Sequence, residues 1–543
     1  MTQITCSEAM VKSLIDRGVD AIFGIPGAQT YAFFDALYQH RDQIRLYTSR
    51  HEQGSAYMAY GYAKSTGKPA VYCVVPGPGV LNTTAALCTA HNAPVLCITG
   101  QVPSEFVGVG HGMLHELPDQ LTTLRSLTKW AARVNHAAEA PALLADAFRN
   151  MSSGRIQPTA LEIPLDVLGH KVDGDMHIPD IPAPQFTPDP ARIKRAAAMI
   201  REARAPMIYV GSGAVHASAE LARLAELIQA PVAAFRGGRG IVGDDTPYGF
   251  NCAQGYKYYP LIDLMIGIGT RLELPAFRWQ DGIANHRMIR IDIDPTQLVR
   301  LRGDLGIVAD ARLALQALLH ELEQDCPPRP SREQQFLDIK AASRRDIQKI
   351  QPQMTYLDIM REVLPRESFV VEEISQVGFV SWYGFPVYEP RKLVTCGYQG
   401  NLGHGFQTAL GVKIANPDTP VVSITGDGGF MFGVQELATA VQYRIGLVTL
   451  IFNNNAFGNV RRDQTRLYDG HVYGSELQNP DFVALARSFG AAGYRAHSAD
   501  EFRALLASAL VEAEHGPVVI EVPCERGSEA SPFEFLMPAN YGR

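Results

Sequence analysis

The chain has 543 residues, room for three or four domains at ~150 residues each and too many for a small binding module. Its 49 Lys and Arg against 56 Asp and Glu leave a net charge of −7, which excludes the basic footprint of a nucleic-acid binder. Hydrophobic residues at 46% with 48 Gly and 35 Pro describe a compact, turn-rich chain rather than a coiled coil or a disordered one.

In chain order, Met1 to Arg17 reads as an amphipathic helix, with Glu8 and Asp16 interrupting any signal-peptide core. No apolar run reaches the ~18 residues of a membrane span. The eight cysteines are scattered without a C-x-x-C pair, the pattern of buried thiols in a reducing cytoplasm. An apolar run at 70–75 meets Pro-Gly-Pro-Gly, a helical stretch and a second run at 95–99. Residues 173–190 carry five prolines and read as a linker. The design then recurs: a run at 207–210, Gly211-Ser212-Gly213, a helix over 217–228 and a run at 232–235. After a second proline-rich break at 325–332 it recurs again, with a run at 421–425, Gly426-Asp427-Gly428-Gly429, a helix over 434–443 and a run at 447–452. Strand, glycine turn, helix, strand is the crossover that parallel strands need, and two buried faces explain unbroken apolar runs. The expected fold is α/β, three doubly wound parallel-sheet domains spanning 1–172, 190–325 and 350–530.

Ligands of such sheets sit beyond the carboxyl ends of the strands. At 426–429, glycines permit close backbone approach and a helix start favours phosphate, yet Asp427 would repel it. A divalent cation resolves the conflict, since Mg²⁺ is held by one or two protein oxygens together with substrate phosphates. Asn453, Asn454 and Asn455 follow the next strand, one crossover later. Alone, G-D-G is an ordinary turn and the asparagines a loop; together they favour a metal-diphosphate site.

With G-D-G and the later N-N in place, the sequence resembles the thiamine diphosphate enzymes of the acetolactate synthase, pyruvate oxidase and 2-oxo acid decarboxylase superfamily. The likeness extends to FGIPGA at 23–28, RHEQGSAYMAYGYAKSTGK at 50–68, GPGVLN at 77–82, ITGQVPS at 98–104, IDIDP at 291–295, Gln435-Glu436-Leu437 and NPDFVALARSFG at 479–490. It implies that Asp427, Asn454 and the Ala456 carbonyl hold Mg²⁺ on the diphosphate. It implies further that Pro26, Gly27, Asn82, Ser375, Gln376, Gly400, Gly426, Gly428 and Gly429 surround the cofactor. Glu52 becomes the glutamate that bonds the aminopyrimidine ring nitrogen and favours the imino form able to deprotonate the thiazolium carbon. A carboxylate among Ala56, Met58 and Ala59 is expected to be partly desolvated. Leu402 would be the apolar residue that bends the cofactor, with a core leucine as the alternative.

The implied activity is cleavage of carbon dioxide from a 2-oxo acid, with a proton, a second carbonyl or an oxidant as the final acceptor. Gln29, His111, His115, His404, Asn459, Phe533, Phe535 and Leu536 are candidates to line the cavity. Where acetolactate synthases have M-V-x-Q-W, this chain has Asn459-Val460-Arg461-Arg462-Asp463, so Asp463 replaces their tryptophan and puts acetolactate formation in doubt. The resemblance also admits FAD in the central domain, near Gly267-Ile268-Gly269-Thr270-Arg271, but no distinctive fingerprint supports it. Gly211-Ser212-Gly213 lacks the third glycine of a nicotinamide site. A flavin oxidase and a catalytically silent binding protein on the same fold are the rival readings. The family architecture implies a homodimer as the minimum active unit and a homotetramer as the common assembly, with no nucleic-acid or membrane partner.

Overall fold

A computed structural model of the chain describes residues 3–174, 178–179, 182–279, 286–325 and 327–535. Three six-stranded sheets form it. The first runs Arg45–Thr48, Ala21–Gly24, Ala70–Val74, Val95–Gln101, Thr159–Pro164, Trp130–Arg133, with every pairing parallel. The second runs Gly249–Asn251, Val232–Ala234, Pro206–Val210, Leu264–Ile268, Arg287–Asp292, Leu305–Val308, again all parallel. The third runs Leu393–Val394, Phe369–Glu372, Val421–Gly426, Val448–Asn453, Val518–Pro523, Ala492–Arg495 in the same manner. Strands such as Ala70–Val74 and Val448–Asn453 are buried at every residue, which is why their sequences are largely apolar.

Each sheet reverses its strand order near its first strand, and the first and third also interchange their last two strands. The reversal falls between Ala21–Gly24 and Ala70–Val74 in the first sheet, between Pro206–Val210 and Leu264–Ile268 in the second, and between Phe369–Glu372 and Val421–Gly426 in the third. At such a switch point the connections leave in opposite directions and open a crevice. The glycine turns at 76–79, 211–213 and 426–429 stand at these three places.

The amino terminus differs from the expected single helix. Gln3–Thr5 is a strand paired antiparallel with Lys171–Asp173, and the helix is Cys6–Asp16, capped by Thr5. Pairing with the far end of its own domain satisfies backbone groups that a frayed helix start would leave open.

The first and third domains meet through the helices Glu52–Thr66 and Gly405–Ala415. A Cβ at Gly61 would lie 2.0 Å from the Thr408 carbonyl oxygen, and one at Gly411 would lie 1.9 Å from that of Met58. The two backbones therefore touch because each helix offers a glycine to the other's carbonyl. No described helix is long and apolar enough to cross a membrane.

Candidate functional site

Asp427 opens the turn at the end of Val421–Gly426 and is almost fully buried. Its Oδ2 accepts from the Ala456 amide at 3.2 Å and from Asn479 Nδ2 at 2.6 Å. Burial pushes its carboxyl up, the Asn479 hydrogen bond opposing, and no Lys or Arg pairs with it among the described residues. A buried carboxylate served only by neutral donors is a place for a cation. Asn479 was not singled out from the sequence; its signal was the N-P-D-F segment, where an asparagine precedes a loop proline.

Around Asp427 the loops interlock. Asn454 Nδ2 donates to Glu529 at 2.8 Å, and Asn453 Nδ2 to Glu521 at 2.8 Å. Asn455 takes a left-handed φ of 53°, a conformation asparagine tolerates. Ser375 caps the helix Gln376–Gly384 through its hydroxyl and the Gly378 amide. The open α-carbon of Gly426 faces Ser375, a Cβ there standing 3.3 Å from that of Ser375. Gln376 bonds Asn459 through its amide nitrogen and accepts from the Ala530 amide through its oxygen. Asn459 also accepts from Arg462, which pairs with Asp463 at 2.9 Å. Gly400 has open space beside its α-carbon, Leu402 is half-buried, and His404 is wholly enclosed. Phe533 packs edge-on to Phe379 at 5.3 Å, while Leu536 lies outside the described residues.

The first sheet assembles the other group. Glu52 begins the helix Glu52–Thr66, and its Oε2 accepts from Asn82 Nδ2 at 2.9 Å. Glu52 is half-buried, beside an exposed Asn82. The helix start is fixed from the third domain: the buried Glu436 carboxylate accepts from the Arg50 and His51 amides at 3.1 and 3.0 Å and from the Thr439 hydroxyl at 2.6 Å. Gln29 is buried, accepts from His115 Nδ1 through its Oε1 at 3.0 Å and donates to the Leu114 carbonyl through its Nε2 at 2.9 Å. His115 has a φ of 66°, a backbone state rare for a non-glycine residue. Pro26 is exposed, Gly27 is half-buried, and the exposed His111 ring stands edge-on to Phe106. Within the chain, no hydrogen bond or ion pair joins Glu52 to the Asp427 loop among the described residues.

At the second switch point a cavity of about 700 Å³ lies between all three domains. Gly211, Gly213 and Gly269 approach there backbone to backbone, and Lys64, Arg155, Arg236, Arg271 and Arg391 line the walls with Asp292. His91 accepts from Arg155 at 2.7 Å and packs on Tyr398, over whose ring Arg271 also lies. Burial and the neighbouring Arg155 and Arg271 hold His91 down to about 3, so it is neutral.

Residues 4–123 match the N-terminal TPP binding domain of thiamine pyrophosphate enzymes, 193–318 their central domain, and 373–522 their C-terminal TPP binding domain. The chain is 34% identical to a Pseudomonas aeruginosa protein named "Probable 2-ketoarginine decarboxylase", across 92% of this chain and 90% of that one. It is 33% identical to a "Probable acetolactate synthase large subunit" of Methanocaldococcus jannaschii, across 95% and 91% of the two chains. It is 30% identical to the acetolactate synthase isozyme 3 large subunit of Escherichia coli, across 97% and 96%. With the N-terminal, central and C-terminal domains matched in turn along the chain and this similarity over nearly its whole length, the chain belongs to the thiamine pyrophosphate enzymes.

Proposed function

We propose that the protein decarboxylates a 2-oxo acid with thiamine diphosphate and Mg²⁺, and passes the product to a proton or to a second carbonyl. The observation that carries this is Asp427: a buried, unpaired carboxylate at a switch point, beside helix starts that favour phosphate. The residues present fit the cofactor. Asp427, Asn454 and the Ala456 backbone would hold Mg²⁺, and Ser375 and Gly426 would stand beside the diphosphate.

When bound, thiamine diphosphate supplies the electron sink for carbon dioxide loss. Glu52 would hold the proton at the pyrimidine ring nitrogen, oriented by the Asn82 amide. Glu436 keeps the segment carrying Glu52 in register by binding the two amides before it. Gln29 and His115 are proposed to line the substrate cavity from the first domain, and Gln376, Asn459 and Arg462 from the third. That polar wall, with Asp463 in place of tryptophan, favours decarboxylation of a 2-oxo acid with a polar side chain over the joining of two apolar ones. A screen of 2-oxo acids with and without aldehyde acceptors, following carbon dioxide and identifying products, tests this. Absence of thiamine-dependent carbon dioxide release from every 2-oxo acid rejects it.

Surface chemistry supports the proposed assembly. Leu81, adjacent to Asn82, is 45% exposed, and Phe432, just past the Asp427 turn, is 50% exposed. Large apolar side chains at both half-sites suit a dimer in which Glu52 of one chain meets Asp427 of another, with a tetramer as the pairing of two such dimers. A cytoplasmic location and the division at 172/190 and 325/350 remain parts of this proposal.

A second reading concerns FAD. The central cavity, cationic and within the size range of ligand pockets, supports a nucleotide with phosphates at the place where the resemblance admits the flavin. Flavin absorbance in the supernatant of heat-denatured protein checks it.

A further inference from the structure

Away from Asp427, three pieces of the third domain bring together side chains that the proposed reaction does not use. Glu372 ends the strand Phe369–Glu372, Cys396 follows the edge strand Leu393–Val394, and His404 precedes the helix Gly405–Ala415. All three are buried, Glu372 and His404 completely. A carboxylate oxygen, the thiol sulfur and a ring nitrogen lie within 4.8 Å of one another.

The cluster is polar and unsatisfied. Neither oxygen of Glu372 has a hydrogen-bond partner, and neither does His404 Nε2. The Trp382 indole and the Cys396 amide come near the carboxylate without reaching hydrogen-bond geometry. The neighbouring Glu373 is the contrast, since it accepts from Thr425 at 2.6 Å and from the Gly403 amide. Buried polar groups are ordinarily paired, so a carboxylate with two empty oxygens calls for a partner. His404 Nδ1 bonds the Asn401 carbonyl at 3.1 Å. That bond fixes Nδ1 as the donor and leaves the lone pair on Nε2.

We propose that Glu372, Cys396 and His404 bind a divalent transition metal ion of the Zn²⁺ class, at a site separate from the Mg²⁺ site. A thiolate, an imidazole and a carboxylate form the donor set of a borderline-soft ion, whereas Mg²⁺ takes oxygen ligands in an octahedron. Two anionic ligands neutralise the double charge, so the complex carries no net charge into the core. Tetrahedral bonds of about 2.0–2.3 Å place ligand atoms about 3.3–3.8 Å apart; binding draws these side chains together by rotation. Cys396 also lines the central cavity, which gives the ion a way in. The ion would tie a strand end, an edge strand and a helix start together. This proposal stands independently of the thiamine diphosphate reading.

The test uses the full chain, stripped with EDTA, loaded with Co²⁺ and dialysed. About one equivalent per chain should remain, with thiolate-to-cobalt charge-transfer absorption that Zn²⁺ abolishes. Asp427→Ala and a Cys88→Ser/Cys326→Ser/Cys524→Ser variant should retain both signals. Cys396→Ser should lose the absorption, and Glu372→Gln should weaken binding roughly tenfold or more. Retention of under about a tenth of an equivalent by the wild-type chain overturns the proposal, as does charge-transfer absorption that survives Cys396→Ser. If Cys396→Ser does not fold, the decision rests on the wild type against the triple variant: equal stoichiometry and absorption support the site, and their loss in the triple variant refutes it.

Discussion

At the scale of single residues, the roles proposed for Glu52 and Asp427 are separable. On that proposal, Glu52→Gln would remove a proton-holding group at the pyrimidine end and leave the diphosphate end intact. Turnover is expected to fall by about 10²–10⁴-fold, with little change in calorimetric affinity for thiamine diphosphate. Asp427→Ala should do the reverse and weaken Mg²⁺-dependent cofactor binding; unchanged affinity would reject the metal role. Lys64 offers a pH test of the central cavity. Burial, then Arg391, holds its ammonium down to about 8, so the folded state favours the neutral amine. The destabilisation is complete below about 8 and fades as pH rises toward the ordinary lysine value. An anionic ligand beside Lys64 restores the charge, so ADP binding near pH 8.5 should take up protons and weaken as pH rises. Calorimetry in two buffers of different ionisation heat measures that uptake, and none would place the phosphates away from Lys64.

At the scale of elements, the contact between Glu52–Thr66 and Gly405–Ala415 has no room for a methyl group at Gly61 or Gly411. Gly61→Ala forces the helices apart, and overpacking of this kind costs about 1–3 kcal/mol or more. A lowered denaturation midpoint, accompanied by loss of activity because Glu52 rides on the displaced helix, is the expected result. Much at this scale was legible in the sequence. The runs at 70–75, 207–210 and 421–425 became strands within a residue or so of their expected bounds, because unbroken apolar runs between glycine turns leave few alternatives. Less legible were contacts that depend on long-range folding. Asn479 reaches Asp427 across 52 residues and Glu436 reaches His51 across 385, and neither distance leaves a local pattern. The opening strand Gln3–Thr5 was missed for the same reason, since its partner lies at Lys171–Asp173.

At the scale of the whole molecule, the proposed dimer would bring Glu52 of one chain to Asp427 of another, beside the exposed Leu81 and Phe432. A mixing experiment tests whether two chains complete one site. Glu52→Gln and Asp427→Ala subunits are each inactive, but a mixed dimer would contain one intact site formed from the unaltered half of each. Random reassortment of a symmetric dimer should recover about a quarter of wild-type activity. No recovery, with subunit exchange verified by mass spectrometry, would put both halves in the same chain.

The clamp of Glu436 on the amides of Arg50 and His51 then acquires a further meaning. Its carboxylate belongs to the domain that carries Asp427, yet in the proposed dimer it would steady a glutamate that serves the neighbouring chain's pocket. Damage at Glu436 would therefore be felt next door. In a mixed dimer, a Glu436→Ala chain should silence the pocket built around its partner's Asp427 while sparing the pocket around its own.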